Sequence, residues 1–239
     1  MSLPSDKFEA WSSDLREIIS KRKGAFSQLE STIGRLNHAA CVIPLSRHFL
    51  NRIQLRLKIR RHKNQALSLT QNEIDDFELW LVFLAQARTG MSMNQTTIRQ
   101  PTKLCWSDSC PHGIGGFLLS GRAWRTRIPD SSPVCGMDIA NNVPEFLGMM
   151  VTIWLVLIEC AETGSLQDCI LALGDNTSAI GWLFKSGKLD CNSPHHKAVQ
   201  MTAQKLARLV TGSSHCLASQ HLKGDKNAVS DLLSFAGET

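Results

Sequence analysis

The 239-residue chain contains no uncharged apolar run longer than the 13 residues from Phe146 to Ile158, which Glu145 and Glu159 bound. A bilayer-spanning helix needs roughly 20, so no membrane span is expected. The amino terminus, Met1-Ser-Leu-Pro-Ser-Asp-Lys, lacks the apolar core of a secretory signal. The eight cysteines, at 41, 105, 110, 135, 160, 169, 191 and 216, are therefore expected as reduced thiols in an intracellular protein, cytoplasmic or nuclear. Internal repeats and low-complexity tracts are missing too. A hydrophobic content of 43% is ordinary for a chain that buries a real core, which excludes a disordered protein.

Acid is absent from the whole interval between Glu30 and Glu73, which carries Arg35, Arg47, Arg52, Arg56, Lys58, Arg60, Arg61 and Lys63. Residues 1 to 100 hold 15 Lys and Arg against 9 Asp and Glu, or +6, and the remainder hold 11 against 12, or −1. The chain is thus electrostatically two-part, and a polyanionic partner is the natural inference. The same first hundred residues read as helices with no strand pattern between them: Ser5 to Lys23, a second through Leu29, Ile33 and Leu36, and a third after Pro44. A fourth starts at Thr70, with Glu73 completing a capping box. In the third, Leu45, Phe49, Ile53 and Leu57 recur every four residues as a packing face, while Arg52, Arg56, Arg60 and Lys63 form a row about 100° around the helix. That row is either a phosphate-binding face or a solvated one. Thr89 to Pro101 reads as a linker.

Beyond Pro101 the pattern changes to three short strands, at Lys103 to Ser107, Gly115 to Leu119 and Ala123 to Ile128. A long apolar helix from Val143 to Cys160 follows, then a strand from Cys169 to Leu173. Helices at Thr177 to Lys185 and Ser193 to Val210, a strand at Cys216 to Ser219 and a last helix from Asn227 complete the chain. Three antiparallel strands followed by alternation imply an α/β domain whose mixed sheet pairs its last strands in parallel. Two domains are expected, 1–100 and 101–239.

Four acids fall at element ends: Asp108, Glu145, Asp175 and Asp231. Singly, each has an innocent role: a turn residue at Asp108, a capping box between Asn142 and Glu145, a helix cap at Asp175, and a solvated carboxylate at Asp231. Together with their surroundings they form a pattern. Ser107-Asp108-Ser with Gly113-Ile-Gly-Gly-Phe-Leu-Leu, Asn142-Val-Pro-Glu145, Leu173-Gly-Asp-Asn-Thr-Ser-Ala179 and His221-Leu-Lys-Gly-Asp-Lys-Asn-Ala-Val-Ser-Asp231 resemble the successive blocks of a ribonuclease H domain, in order, over nearly all of residues 103 to 236. The glycine-rich second strand, and a histidine ten residues before the last aspartate, resemble the retroelement reverse transcriptases. Leu29 to Pro44, with Arg47-His-Phe-Leu-Asn-Arg52, is similar to the helical thumb and connection region that precedes ribonuclease H in those enzymes.

The resemblance implies a ribonuclease H-like fold after a helical nucleic-acid-binding region, and endonucleolytic cleavage of the RNA strand of an RNA–DNA hybrid. It further implies two Mg²⁺ ions, with Mn²⁺ able to substitute, held by Asp108, Glu145, Asp175 and Asp231, and a proton-transfer role for His221 on a loop. Asn142, Thr177 and Ser178 would hold the DNA strand, Trp182 would stack along it, and Arg52, Arg56, Arg60 and Lys63 would hold duplex phosphates. No tyrosine occurs anywhere, and the only adjacent acids, Asp75 and Asp76, lie in a helical pattern. The polymerase centre of that family is therefore missing, and the chain is expected to be the carboxy-terminal piece of a longer polyprotein that supplies fingers and palm. A non-catalytic nucleic-acid-binding or structural remnant is the alternative. A zinc reading from Cys105-x₄-Cys110-x-His112 and Cys191-x₃-His195-His196 follows no finger spacing.

Overall fold

The computed structural model describes residues 1–59, 66–97, 99–132, 142–185 and 195–235, and the chain divides into two compact units, Met1–Thr96 and Thr97–Thr239. Arg60, Lys63 and Cys191 lie outside the described residues.

The first unit is built from α1 (Ser5–Lys21), α2 (Phe26–Ala39), α3 (Asn51–Ile59) and α4 (Gln71–Thr89). Helices are not the whole of it, because β1 (Lys23–Gly24) pairs antiparallel with β2 (Leu67–Ser68). Two-residue strands carry too little alternation to be seen in sequence. Leu15, Ile18, Leu29 and Leu36 are fully buried, as are Phe49, Phe77, Trp80 and Phe83. Trp80 meets Phe83 edge-to-face at 5.5 Å, the arrangement that ring quadrupoles favour. Thr70 and Glu73 make the expected capping box at the start of α4.

The basic row of α3 is not the free face that its sequence interval suggests. Arg52 Nη1 lies 3.5 Å from Asp76 Oδ2 and donates to the Asn72 carbonyl, and Arg56 pairs with Glu73 and donates to the Ser68 carbonyl at 2.9 Å. Asp76 and Glu73 are buried. An acid-free stretch of sequence has borrowed its acids from α4, because a carboxylate buried in its charged form is costly without a cation beside it.

The second unit holds β3 (Lys103–Cys110), β4 (Gly113–Leu118) and β5 (Ala123–Arg127), then α5 (Asn142–Thr163), β6 (Cys169–Gly174), α6 (Thr177–Lys185), α7 (His196–Thr211), β7 (Cys216–His221) and α8 (Ala228–Phe235). The five strands form one sheet in the order β5-β4-β3-β6-β7. The β3–β4 and β4–β5 pairs are antiparallel, and the β3–β6 and β6–β7 pairs are parallel. This is the expected ribonuclease H-like mixed sheet, and it makes β3 the central strand.

Glycines in β4 explain how close the helices come. A Cβ at Gly113 would lie 2.2 Å from the Ser234 carbonyl oxygen and one at Gly115 would lie 2.6 Å from Leu233 Cβ, both in α8. A Cβ at Gly116, on the other face, would lie 2.5 Å from Thr152 Oγ1 of α5. Alternate residues of a strand point to opposite faces, so α8 and α5 cover opposite sides of the sheet. Gly148 repeats the device within α5, where a Cβ would lie 2.7 Å from Ile114 Cγ2. At 22 residues α5 is long and apolar enough to cross a membrane. The 13-residue run underestimates it because Glu145 lies inside the helix. Most of it is packed against the sheet, with Phe146, Ile153, Val156 and Cys160 buried.

Candidate functional site

Four elements deliver acids to one end of the sheet. Asp108 lies within β3, opposite Gly115 in the register, so it is a strand residue and not a turn residue. Glu145 sits in the first turn of α5, Asp175 follows the last residue of β6, and Asp231 lies in α8. One oxygen each from Asp108, Glu145 and Asp175 lie within 4.8 Å of one another. Asp231 stands outside that tight group, exposed, on the wall of a cleft of about 380 Å³ that also includes Asp108, Ser109, Glu145, Asp175, Asn176 and Phe235.

Local hydrogen bonds show why the innocent roles of Glu145 and Asp175 do not hold. Ser109 donates to Glu145 Oε1 through both its backbone N–H and its hydroxyl, each at 3.0 Å, so Glu145 is tied to β3. The helix α6 is capped by Asn176, whose Oδ1 accepts the Ala179 N–H at 3.0 Å, and this leaves the Asp175 carboxylate to the cluster. Asn176 Nδ2 also donates to Asn142 Oδ1 at 2.6 Å, linking the starts of α5 and α6. Buried Asn227 donates to the Ser107 carbonyl at 3.3 Å and accepts the Asp231 N–H on its own carbonyl. It thereby pins the start of α8 to β3. Ser109, Asn176 and Asn227 are the positioning residues that sequence reasoning missed, although each adjoins or caps an acid-bearing block.

Burial and mutual repulsion hold protons on this cluster. The Asp108 carboxyl is pushed up to about 6 and that of Glu145 to about 9, in both cases first by desolvation and then by neighbouring carboxylates, Asp175 for the former and Asp108 for the latter. Three converging carboxylates offer only hard oxygen donors, the set that Mg²⁺ and Mn²⁺ prefer. Their unbalanced negative charge is what a divalent cation would neutralise.

The remaining candidates are distributed unevenly. His221 is the exposed last residue of β7, aligned with Gly174, which puts it beside Asp175 in a strand and not on the expected loop. The turn after it does reach the cleft, since a Cβ at Gly224 would lie 3.2 Å from Asp175 Oδ2. Thr177 and Ser178 open α6 next to the cleft. Trp182 packs edge-to-face on Phe146 at 5.8 Å, which commits one edge of the indole to the core. Arg52 and Arg56 belong to the other unit and are paired there. Cys105 and Cys110 lie five residues apart in β3 and bond to the Leu171 and Ser234 carbonyls. They point to opposite faces and share no ion.

Neither a protein-family model nor a curated protein matches the chain. Solved structures that share its backbone course include ribonuclease H1 from the halophilic archaeon Halobacterium salinarum, at 20% identity and a TM-score of 0.38 over 55% of this chain and 92% of that one. The N-terminal ribonuclease H domain of a Mycobacterium tuberculosis protein aligns at 17% identity and TM-score 0.38, over 55% and 88%. A foamy viral protease–reverse transcriptase in complex with RNA/DNA hybrid aligns at 13% identity and TM-score 0.30, over 91% of this chain but 27% of that chain. These superpositions are weak, and the functional reading rests on the side chains.

Proposed function

We propose that this chain is a divalent-metal-dependent endonuclease that cleaves the RNA strand of RNA–DNA hybrids, as the ribonuclease H portion of a retroelement reverse transcriptase. One observation carries the reading: Asp108, Glu145 and Asp175, from three separate elements, converge to within 4.8 Å at an open cleft that Asp231 borders. A buried structural acid is held by a cation, as Glu73 is by Arg56, or by hydrogen-bond donors, whereas these three acids face one another.

Asp108, Glu145 and Asp175 would hold the Mg²⁺ ions, with Asp231 serving from the rim. Bound there, the ions would supply a water activated for attack and neutralise charge on the leaving oxygen. Ser109 fixes the Glu145 carboxylate so that it does not swing towards its own helix N-terminus. Asn142, Thr177 and Ser178, at the starts of α5 and α6, would hold a nucleic-acid backbone passing the cleft. Recognition would be by shape and 2′-hydroxyls, which distinguish an RNA strand without reading its bases. His221, whose strand position aligns with the residue before Asp175, would take or return a proton at the cleft edge.

The test is incubation of the purified chain with labelled hybrid, duplex RNA and duplex DNA, with and without Mg²⁺. Cleavage of the RNA strand of the hybrid alone, requiring Mg²⁺ and abolished by Asp108→Asn with hybrid binding retained, is the expected result. Activity that survives Asp108→Asn rejects the assignment. Binding without any cleavage in the native chain assigns it instead to a non-catalytic remnant.

A further inference from the structure

A second group of ligand-type side chains lies at the end of the sheet away from the carboxylate cleft. Cys160 is in the last turns of α5, Asp168 immediately precedes β6 and His215 immediately precedes β7. Asp168 and Asp175 flank the six residues of β6, so the two residues stand roughly 23 Å apart along the strand at about 3.3 Å per residue. All three side chains are buried, at 0%, 8% and 8% exposure, and one ligand atom from each lies within 4.8 Å of the others.

We propose that Cys160, Asp168 and His215 form a binding site for a borderline-soft divalent cation of the zinc class, tying the carboxy-terminal end of α5 to the starts of β6 and β7. Donor chemistry is the first argument. Thiolate, imidazole and carboxylate together are a zinc set, whereas the all-oxygen cleft is a magnesium set. Spacing is the second. With metal–sulfur near 2.3 Å and metal–nitrogen or –oxygen near 2.0–2.1 Å, the edges of a coordination tetrahedron are roughly 3.4–3.6 Å. Cys160 Sγ lies 3.2 Å from Asp168 Oδ2, and His215 Nδ1 lies 3.9 Å from the same oxygen.

The surroundings meet the other requirements of a built site. Thr102 Oγ1 donates to Asp168 Oδ1 at 2.8 Å, which orients the carboxylate and leaves Oδ2 for the cation. The neighbouring Lys103 charge is matched by Glu159 at 2.8 Å. A groove of about 440 Å³, lined by Trp154, Leu157, Leu166, Leu209 and, of the three ligands, His215, brings solvent to the imidazole side of the cluster. The cation would displace two hydrogen bonds, the Cys160 S–H to Asp168 Oδ2 and the Asp168 N–H to His215 Nδ1 at 3.1 Å. Binding would therefore expel the Cys160 thiol proton and take the His215 Nδ1 lone pair from the Asp168 N–H.

Co²⁺ titration of the reduced, metal-free full chain tests this independently of nuclease activity. The expected result is one equivalent that produces thiolate-to-cobalt charge transfer with intense visible bands of a four-coordinate ion, bleached by Zn²⁺ and not by Mg²⁺. Cys160→Ser should abolish the charge transfer, His215→Gln should weaken binding at least tenfold, and Asp108→Asn should change neither. Should Cys160→Ser fail to fold, Zn²⁺ protection of the Cys160 thiol from alkylation in the native chain, with release by chelator, replaces it. Absence of thiolate charge transfer in the native chain, or a band that persists in Cys160→Ser, overturns the proposal and leaves the three residues as a hydrogen-bonded cluster.

Discussion

The proton held by the acidic cluster yields a quantitative prediction. The Asp108–Glu145 pair loses one proton near 6 and the other near 9, and such a pair titrates as a unit. At pH 7 it therefore retains about one proton, which a divalent cation must expel to bind both carboxylates. Calorimetric titration of Mg²⁺ or Mn²⁺ at pH 7 in buffers of different ionisation enthalpy should show release of about one proton per site filled. Affinity should also rise about tenfold per pH unit between 6.5 and 8.5, and level off above 9. Glu145→Gln should remove most of that release and flatten the dependence. The linkage runs the other way for stability without metal. Both folded-state values are raised above the ordinary 3.8 and 4.5, so the contribution is fully present below about 4 and is lost as pH rises through 6 and then 9. Release below roughly 0.3 proton in the native chain, or equal release in Glu145→Gln, would refute the account of the cluster as proton-sharing.

His221→Ala should slow hybrid cleavage without abolishing it, since water partly replaces a proton shuttle at an exposed position, whereas Asp108→Asn should leave none. Equal loss from the two would make His221 a ligand or structural group. Gly113→Ala should cost about 1–3 kcal/mol, read from thermal melts, because its Cβ must push α8 away from β4, and cleavage should fall further than stability as Asp231 moves. Gly121→Ala, where φ is +91° but nothing lies within 4 Å, separates backbone strain from this crowding by leaving cleavage unchanged. Arg56→Ala should destabilise the first unit by about 2 kcal/mol, below the 3–5 of a fully buried pair because the guanidinium is partly in water. It should leave the salt dependence of hybrid binding unaltered, whereas a log–log slope reduced by about 0.9 would restore its phosphate role.

How far residues alone carry the reading depends on the range of the interaction. Strand and helix identities between Lys103 and Phe235 were legible because hydrophobic period, turn residues and glycine placement are local, and Thr70 with Glu73 is a local cap. The four acids were legible as a set because each sits in a recognisable block of sequence. Two-residue β1 and β2 were not, and neither was the pairing of Arg52 and Arg56 with Asp76 and Glu73, which joins residues 17 to 24 positions apart through the packing of α3 on α4. Sequence could nominate Glu145 as a cap, but only the close approach of α5 to β3 showed Ser109 taking its carboxylate. The grouping of Cys160, Asp168 and His215 has no sequence spacing to betray it, since three chain segments meet there only because β6 lies parallel to β7 beneath α5. Composition and order thus determined which elements form and which acids lead them. Tertiary structure decided which charges are neutralised, which are left to repel one another, and therefore where a cation is needed.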